Sequence, residues 1–336
     1  MLYIDRKQQN KTSSRINSGE PTQLPGFIFN RFLQFLPTIF GAATLTFLFI
    51  HLIPGDPVEN LLGEDALAAD RQAMRQALGL DKPILEQFGA YLNNLLHGDL
   101  GTSLYSNRPV IELIGERLPA TAELALAALF FAVIISFPLG VWAAVNKGKW
   151  PDKLAMTGSL VGFSMPNFWL GPLLIILFSV WVGIFPVSGR EDGIMSLILP
   201  AITLGTGMAA VLSRLVRSSL LEVLSADYIR TARAKGVKKR KLVWKHALRN
   251  ALLPVITVLF LQVGTLLTGA IITEAVFSWP GLGSLLIEAL NSRDYKVVQG
   301  CILFIAFTYL VMTLLADILY AFIDPRIRFS GGKANG

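Results

Sequence analysis

Glu222-Val223-Leu224-Ser225-Ala226-Asp227-Tyr228-Ile229-Arg230-Thr231-Ala232-Arg233-Ala234-Lys235-Gly236, continuing from Val237 through His246, Arg249 and Asn250 to Pro254, is the one long basic, helix-prone segment in an otherwise apolar chain. Apolar runs long enough to cross a membrane stand on both sides of it. The segment predicts a helix, a turn and a second helix. Ser225 is a good N-cap, and Asp227 falls in the first turn, where the helix dipole favours an anion. Arg233 and Lys235 fall in the last turn, where cations are favoured, and Gly236 can take the left-handed conformation that ends a helix. Beyond it, Val237, Trp244, Leu248 and Ala251 recur roughly on one helical face, while Lys238, Lys239, Arg240, Lys241 and Lys245 keep the remainder in water. The small residues Ala232, Ala234 and Gly236 leave room for another backbone or a partner's wall.

Composition places this loop in a membrane protein. The 336 residues are 53% hydrophobic and 16% charged with a mean hydropathy of +0.53, against about 25% charged in soluble domains. The fold class is therefore all-α and polytopic. The net charge of +7 needs no nucleic acid, because a basic excess on one side of a membrane accounts for it. One cysteine, Cys301, excludes an intrachain disulfide, and His51, His97 and His246 have no metal-ligand spacing. No phosphate-binding G-x-x-x-x-G-K-[ST] string occurs; Gly148-Lys149 is followed by Trp150 and lacks the upstream glycine. If ATP drives this protein, another chain binds it.

Residues 1–30 read as a flexible polar tail, and 31–53 as a first transmembrane helix, long enough at about 1.5 Å per residue to cross a core of about 30 Å. The length of that run and its lack of a small-residue cleavage site argue against a signal peptide. Residues 54–118 turn polar and acidic and form an extracytoplasmic insertion with helical stretches at Ala66 to Leu78 and Ile84 to Leu96. The core, 119–323, carries spans at Pro119 to Val145, Leu154 to Phe185, Met195 to Ser213, Leu252 to Thr273 and Val297 to Ile323, with a cytoplasmic loop at 218–251 and a second tail at 324–336. The third span is overlong and interrupted at Met165-Pro166-Asn167, which predicts a kink or a broken helix. The count is about six. Placing both termini in the cytoplasm puts Arg6 to Arg31, Lys147 to Lys153, Arg214 to Arg249 and Arg326 to Lys333 inside, most of the 30 lysines and arginines.

The loop string "DYIRTARAKGV" followed by "HALRNALLP" resembles the cytoplasmic EAA loop of ABC importer permeases, in the form seen in the dipeptide, oligopeptide and nickel permease family. Arg230 stands where the general consensus has Glu, Thr231 and Ala232 replace its two alanines, and the distance from Gly236 to Pro254 is longer; these departures look like the peptide branch. Pro54-Gly55-Asp56-Pro57, Leu78-Gly79-Leu80-Asp81-Lys82-Pro83 and His97-Gly98-Asp99-Leu100-Gly101 resemble that family's external segment, and Glu274-Ala275-Val276-Phe277-Ser278-Trp279-Pro280-Gly281-Leu282-Gly283 its continuation after the fifth span. Turn-rich caps and a basic loop on anionic lipid are the plain alternatives for these strings taken singly; their occurrence in order along the chain favours the family.

The resemblance implies a type I ABC importer permease fold in the bacterial inner membrane. It also implies a second homologous permease, two ATPase subunits that bind ATP and magnesium, and a solute-binding protein. Nothing suggests a cofactor, metal or catalytic residue in this chain. The first helix of the loop would be a coupling helix seated in an ATPase groove, with Tyr228, Ala232, Ala234 and Gly236 seating it, Arg230, Arg233 and Lys235 making polar contacts, and Asp227 opening it. Di- or oligopeptides are the expected solute; nickel chelates and glutathione are carried by relatives.

Gln262, Thr265 and Gly269, with Gly264 and Thr268 beside them, share one face of the fifth span, and Thr203, Gly207 and Ala210 read similarly on the fourth. They either line a translocation path or pack helices, and packing is favoured. Glu123 and Asp317 are the acids nearest a span interior, each toward one end. A secondary transporter would need deeper ionisable groups and often repeated halves, and an intramembrane enzyme a nucleophile with a histidine at its depth. Neither rival explains the loop.

Overall fold

The computed structural model describes residues 24–52, 58, 62, 66–77 and 79–323. Pro54-Gly55-Asp56-Pro57, Leu78, the tail before Leu24 and the tail 324–336 lie outside the described residues. The described chain is helical, with one isolated antiparallel bridge between Thr102 and Pro109.

Helix α1 (Leu24–Leu52) begins inside the stretch read as a tail, because Pro25 falls in the first turn, where its missing N–H costs nothing. Two short helices follow, α2 (Ala68–Ala77) and α3 (Ile84–Leu96). Helix α4 (Val110–Val145) starts at Val110 rather than Pro119, so Pro119 lies within it. α5 (Trp150–Ser164) stops where Met165 turns extended (φ −81°, ψ 117°), the conformation a following proline imposes. α6 (Asn167–Leu174) then continues as a π-helical stretch, Ile175–Trp181, and the two arms meet at 105°. The break expected at Met165-Pro166-Asn167 is therefore a sharp corner.

Helix α7 (Ile194–Ser225) extends past Ser213, the expected end of the fourth span. α8 (Asp227–Ala234), α9 (Lys239–Lys241), a π-helical turn Leu242–Ala247 and α10 (Leu248–Phe277) come next. After a second bend of 77°, α11 (Leu282–Ser292) leads to α12 (Tyr295–Ile323). Among the described residues, four stretches are long and apolar enough to cross a membrane unbroken: α4, α7, Lys239–Leu266 and Tyr295–Ile318. The two bent pairs raise that number to six, and α1 contributes the apolar run Leu33–Leu48.

The centre of the molecule is α4 against α7. A Cβ on Gly140 would lie 2.6 Å from the Ser213 carbonyl oxygen, and one on Gly205 would lie 2.6 Å from that of Ala128, so the backbones touch at two levels. Leu124, Ala128, Leu212, Val216 and Leu220 fill the seam and are fully buried. A second cluster joins Val110 and Ile114 of α4 to Leu282 and Leu286 of α11 and Val297 and Cys301 of α12. Outward-facing Leu126, Phe130, Ile134, Leu160 and Phe163 remain exposed, the apolar belt a bilayer or a partner subunit covers.

Candidate functional site

The basic segment around Asp227 forms a short helix, α8, held to the end of the bundle. Ser225 is still the last residue of α7, and its hydroxyl turns back to donate to the Glu222 carbonyl at 2.6 Å. It does not cap α8; Ala226, in extended geometry, makes the corner instead. The far end follows the expected chemistry: Gly236 has φ +81°, its N–H donates to the Arg233 carbonyl, and Val237 N–H donates to that of Ala232.

One side of α8 is tied down. Ile229 is fully buried in the main core, and Ala232 packs against the edge of that core. Asn250 of α10 donates its amide to the Tyr228 hydroxyl at 2.8 Å. The other side faces outward: Asp227, Arg230, Thr231, Arg233, Ala234, Lys235 and Gly236 are all exposed. The Arg230–Asp227 pair, 3.5 Å apart, is well exposed at both partners and contributes little to holding the helix. Ile229, the anchor, escaped the sequence reading, although an isolated aliphatic residue in a polar octet was a usable signal.

The next segment departs from its expected face. Leu242, Val243, Ala247, Leu248, Ala251 and Val255 are buried, while Trp244 is 55% exposed. The π-helical turn Leu242–Ala247 explains the correction, because its wider turn shifts the phase of everything placed on a 3.6-residue period across it.

Behind α8, Asp152 near the start of α5 is buried and faces Arg217 of α7, and it also accepts from the Gly148 N–H at 2.8 Å. Ser159 and Ser213 share a buried hydrogen bond of 2.8 Å one level deeper. The loop between α4 and α5 is thus tied to the helix that carries α8.

At the opposite end, the 77° bend is built on a buried acid. Glu274 is completely enclosed; one carboxyl oxygen accepts from the Thr121 hydroxyl at 2.6 Å, and the other from the N–H groups of Gly283 at 2.6 Å and Ser284 at 3.2 Å. It therefore caps the first turn of α11, where unpaired N–H groups favour such an acceptor. Trp279, also fully buried, donates its indole N–H to the Ala120 carbonyl at 2.8 Å. Among the described residues the most enclosed acid is Glu274, not Glu123, which pairs with Arg190 at 2.5 Å.

The residues considered for a path are dispersed. Thr203 is fully buried and bonds its own helix at the Leu199 carbonyl. A Cβ on Gly269 would meet Leu204 Cδ1 at 3.0 Å and Asn167 Nδ2 at 3.5 Å. Thr265 is exposed and donates to the Gln262 carbonyl at 2.7 Å. The structure puts Thr203 and Gly269 at helix contacts and Thr265 on an open surface. Among the described residues, no group of three or more His, Cys, Asp or Glu side chains could hold a metal ion.

Comparison with known proteins agrees with this geometry. Residues 136–329 match the family described as "Binding-protein-dependent transport system inner membrane component", and residues 24–125 match its N-terminal membrane component. The Dipeptide transport system permease protein DppB of Escherichia coli is 47% identical over 333 residues, covering 90% of this chain and 98% of that protein. The Glutathione transport system permease protein GsiC of Escherichia coli is 45% identical over 303 residues, covering 90% and 99%. A chain of the MetNI methionine ABC transporter in an inward-facing conformation shares the fold, with a TM-score of 0.55 at 20% identity over 63% of this chain and 96% of that one. The chain belongs to the binding-protein-dependent transport system inner membrane components and is a permease subunit of an ABC importer in the inner membrane.

Proposed function

We propose that this chain passes short peptides across the inner membrane by alternating access, with both termini in the cytoplasm and α8 as the coupling helix. The observation that carries the reading is α8 itself: one fully buried side chain, Ile229, fixes it to the core, while Arg230, Arg233, Ala234 and Lys235 are left facing outward. A helix anchored on one side and open on the other suits a groove in an ATPase. In this reading a second homologous permease completes the path, and two ATPase chains bind ATP and magnesium. A solute-binding protein delivers the peptide to the end bearing α2 and α3. The peptide must bind the outward-facing and inward-facing states differently for the cycle to pump.

Peptide as the solute rests on the two relatives above, one named for dipeptides and one for glutathione, itself a short peptide. A nickel chelate is the alternative within the family.

The test is capture of ATPase chains by the tagged permease, expressed with its neighbours and gently solubilised. Wild type should bring down two ATP-binding chains. Arg233→Glu, which changes only an exposed side chain, and Gly236→Asp should both lose them. Capture of the same ATP-binding chains by both variants as by wild type would sink α8 as the coupling helix.

A further inference from the structure

At the end of the bundle opposite α8, the helices α1 and α3, the loop that follows α3 and the first turns of α12 enclose a cavity of about 680 Å³. Tyr295, Lys296 and Gln299 of α12 form its floor, and Tyr91 of α3 lies in the facing wall. The hydroxyl oxygens of Tyr91 and Tyr295 are buried without a hydrogen-bond partner. Tyr295 is 7% exposed and Gln299 6%. Buried polar groups in native proteins are nearly always paired, because removing their water without replacing it is costly. Tyr91, Tyr295 and Gln299 line this one volume, and the two unpaired hydroxyls, closed off from its open space, need only a small side-chain shift to donate to an acceptor placed in it.

The charge of the lining has a sign. Among the described residues, Lys82 and Lys296 line the cavity with one carboxylate, Asp99. Asp99 accepts from the Gly101 N–H at 2.8 Å and attracts Lys296 through space, yet the two close no ion pair. The stem of Lys296 lies over Gly101, where a Cβ would meet its Cδ at 3.3 Å and where φ is +83°, so the loop is shaped to admit that side chain. Burial pushes the Tyr91 phenol well above its ordinary pKa, and it stays a donor. Phe47, Leu95 and Leu104 add apolar wall. The volume suits a small organic ligand.

We propose that this cavity binds an oxyanion carried on a small apolar body, with its charge at Lys296 and its oxygens accepting from Tyr91, Tyr295 and Gln299. A carboxylate of a short peptide and the phosphate of an anionic phospholipid share that chemistry. The site stands apart from the coupling role of α8 and does not depend on it.

The test uses the full transporter in nanodiscs, with acylation of the Lys296 amine followed by peptide mass spectrometry and thermal melting run in parallel. The probes are alanyl-phenylalanine, its C-terminal amide, and discs of phosphatidylcholine with or without phosphatidylglycerol. Exposed Lys149 is the labelling control. The free acid should slow labelling of Lys296 severalfold and raise the melting temperature, and the amide should do neither. Tyr295→Phe removes a hydroxyl with no partner in the protein, so it should leave the empty protein's melting temperature unchanged while weakening the ligand about tenfold. Protection by phosphatidylglycerol without added peptide would identify a lipid headgroup as the occupant, and protection by the acid in phosphatidylcholine a soluble carboxylate. Equal behaviour of acid and amide together with no effect of phosphatidylglycerol, or full protection retained in Tyr295→Phe, overturns the proposal.

Discussion

Asp152 and Arg217 meet through two parallel hydrogen bonds, Nε to Oδ1 at 2.5 Å and Nη2 to Oδ2 at 2.8 Å, with the carboxylate almost fully enclosed. The pair joins the first turn of α5 to the stretch of α7 that leads into α8. Removing one side of an enclosed pair leaves the other charge stranded, at about 3 kcal/mol. Arg217→Ala should lower the melting temperature of the solubilised protein clearly, and Arg217→Lys, which keeps the charge but not the planar fork, should recover only part of the loss. Equal melting of all three proteins would show that the pair contributes nothing.

The cap at Glu274 predicts an order of severity. Glu274→Ala strands the Thr121 hydroxyl and two backbone N–H groups, a loss of about 3 kcal/mol or more. Glu274→Gln keeps an acceptor oxygen and should cost about 1 kcal/mol. Gly281→Ala should fall near the alanine variant of the acid, because the new Cβ would sit 2.2 Å from a Glu274 carboxyl oxygen. Melting of the four proteins side by side checks the ranking.

Three glycines of α4 and α7 make a controlled set. Gly140→Ala and Gly205→Ala push a methyl group into a facing carbonyl and should each cost about 1–3 kcal/mol. Gly207→Ala meets nothing within 4 Å and should be neutral or slightly stabilising in a helix. Expression level and melting temperature distinguish these outcomes.

Ile229 and Arg233 separate anchoring from docking. Ile229→Ala empties a fully buried position, at about 2–5 kcal/mol, and should reduce both melting temperature and peptide-stimulated ATP hydrolysis. Arg233→Glu should leave melting unchanged and reduce only the hydrolysis. If the transporter assembled with Arg233→Glu hydrolyses ATP like the one assembled with wild type, α8 does not dock through this face.

What the sequence revealed was what neighbours along the chain determine. Gly236 ends α8 and Pro166 breaks the third span through local backbone preferences, so both were legible. Glu274 was read as following its span, and nothing nearby signals its burial, because Thr121, the partner that defines its role, is 153 positions away. Trp244 was placed on the wrong face because a single π-helical turn changes the period without any glycine or proline to announce it. The cavity at Tyr91 and Tyr295 belongs to the same class: its walls come from α1, α3 and α12, and only folding brings their unpaired hydroxyls together.

The two carbonyl contacts between α4 and α7 restrict how any pumping stroke can occur. Gly140 meets Ser213 and Gly205 meets Ala128, levels about 12 Å apart along α7. Rocking one helix on the other would open one contact and drive the other into collision, so the pair is a single stiff plate. α7 runs about 48 Å, and over the stretch from Gly205 to its α8 end, clear of Pro200, a displacement is carried with little lost to flexure. The 77° turn is pinned by Glu274 and Trp279 as well, so the corner left for compliance is the extended Met165-Pro166 step.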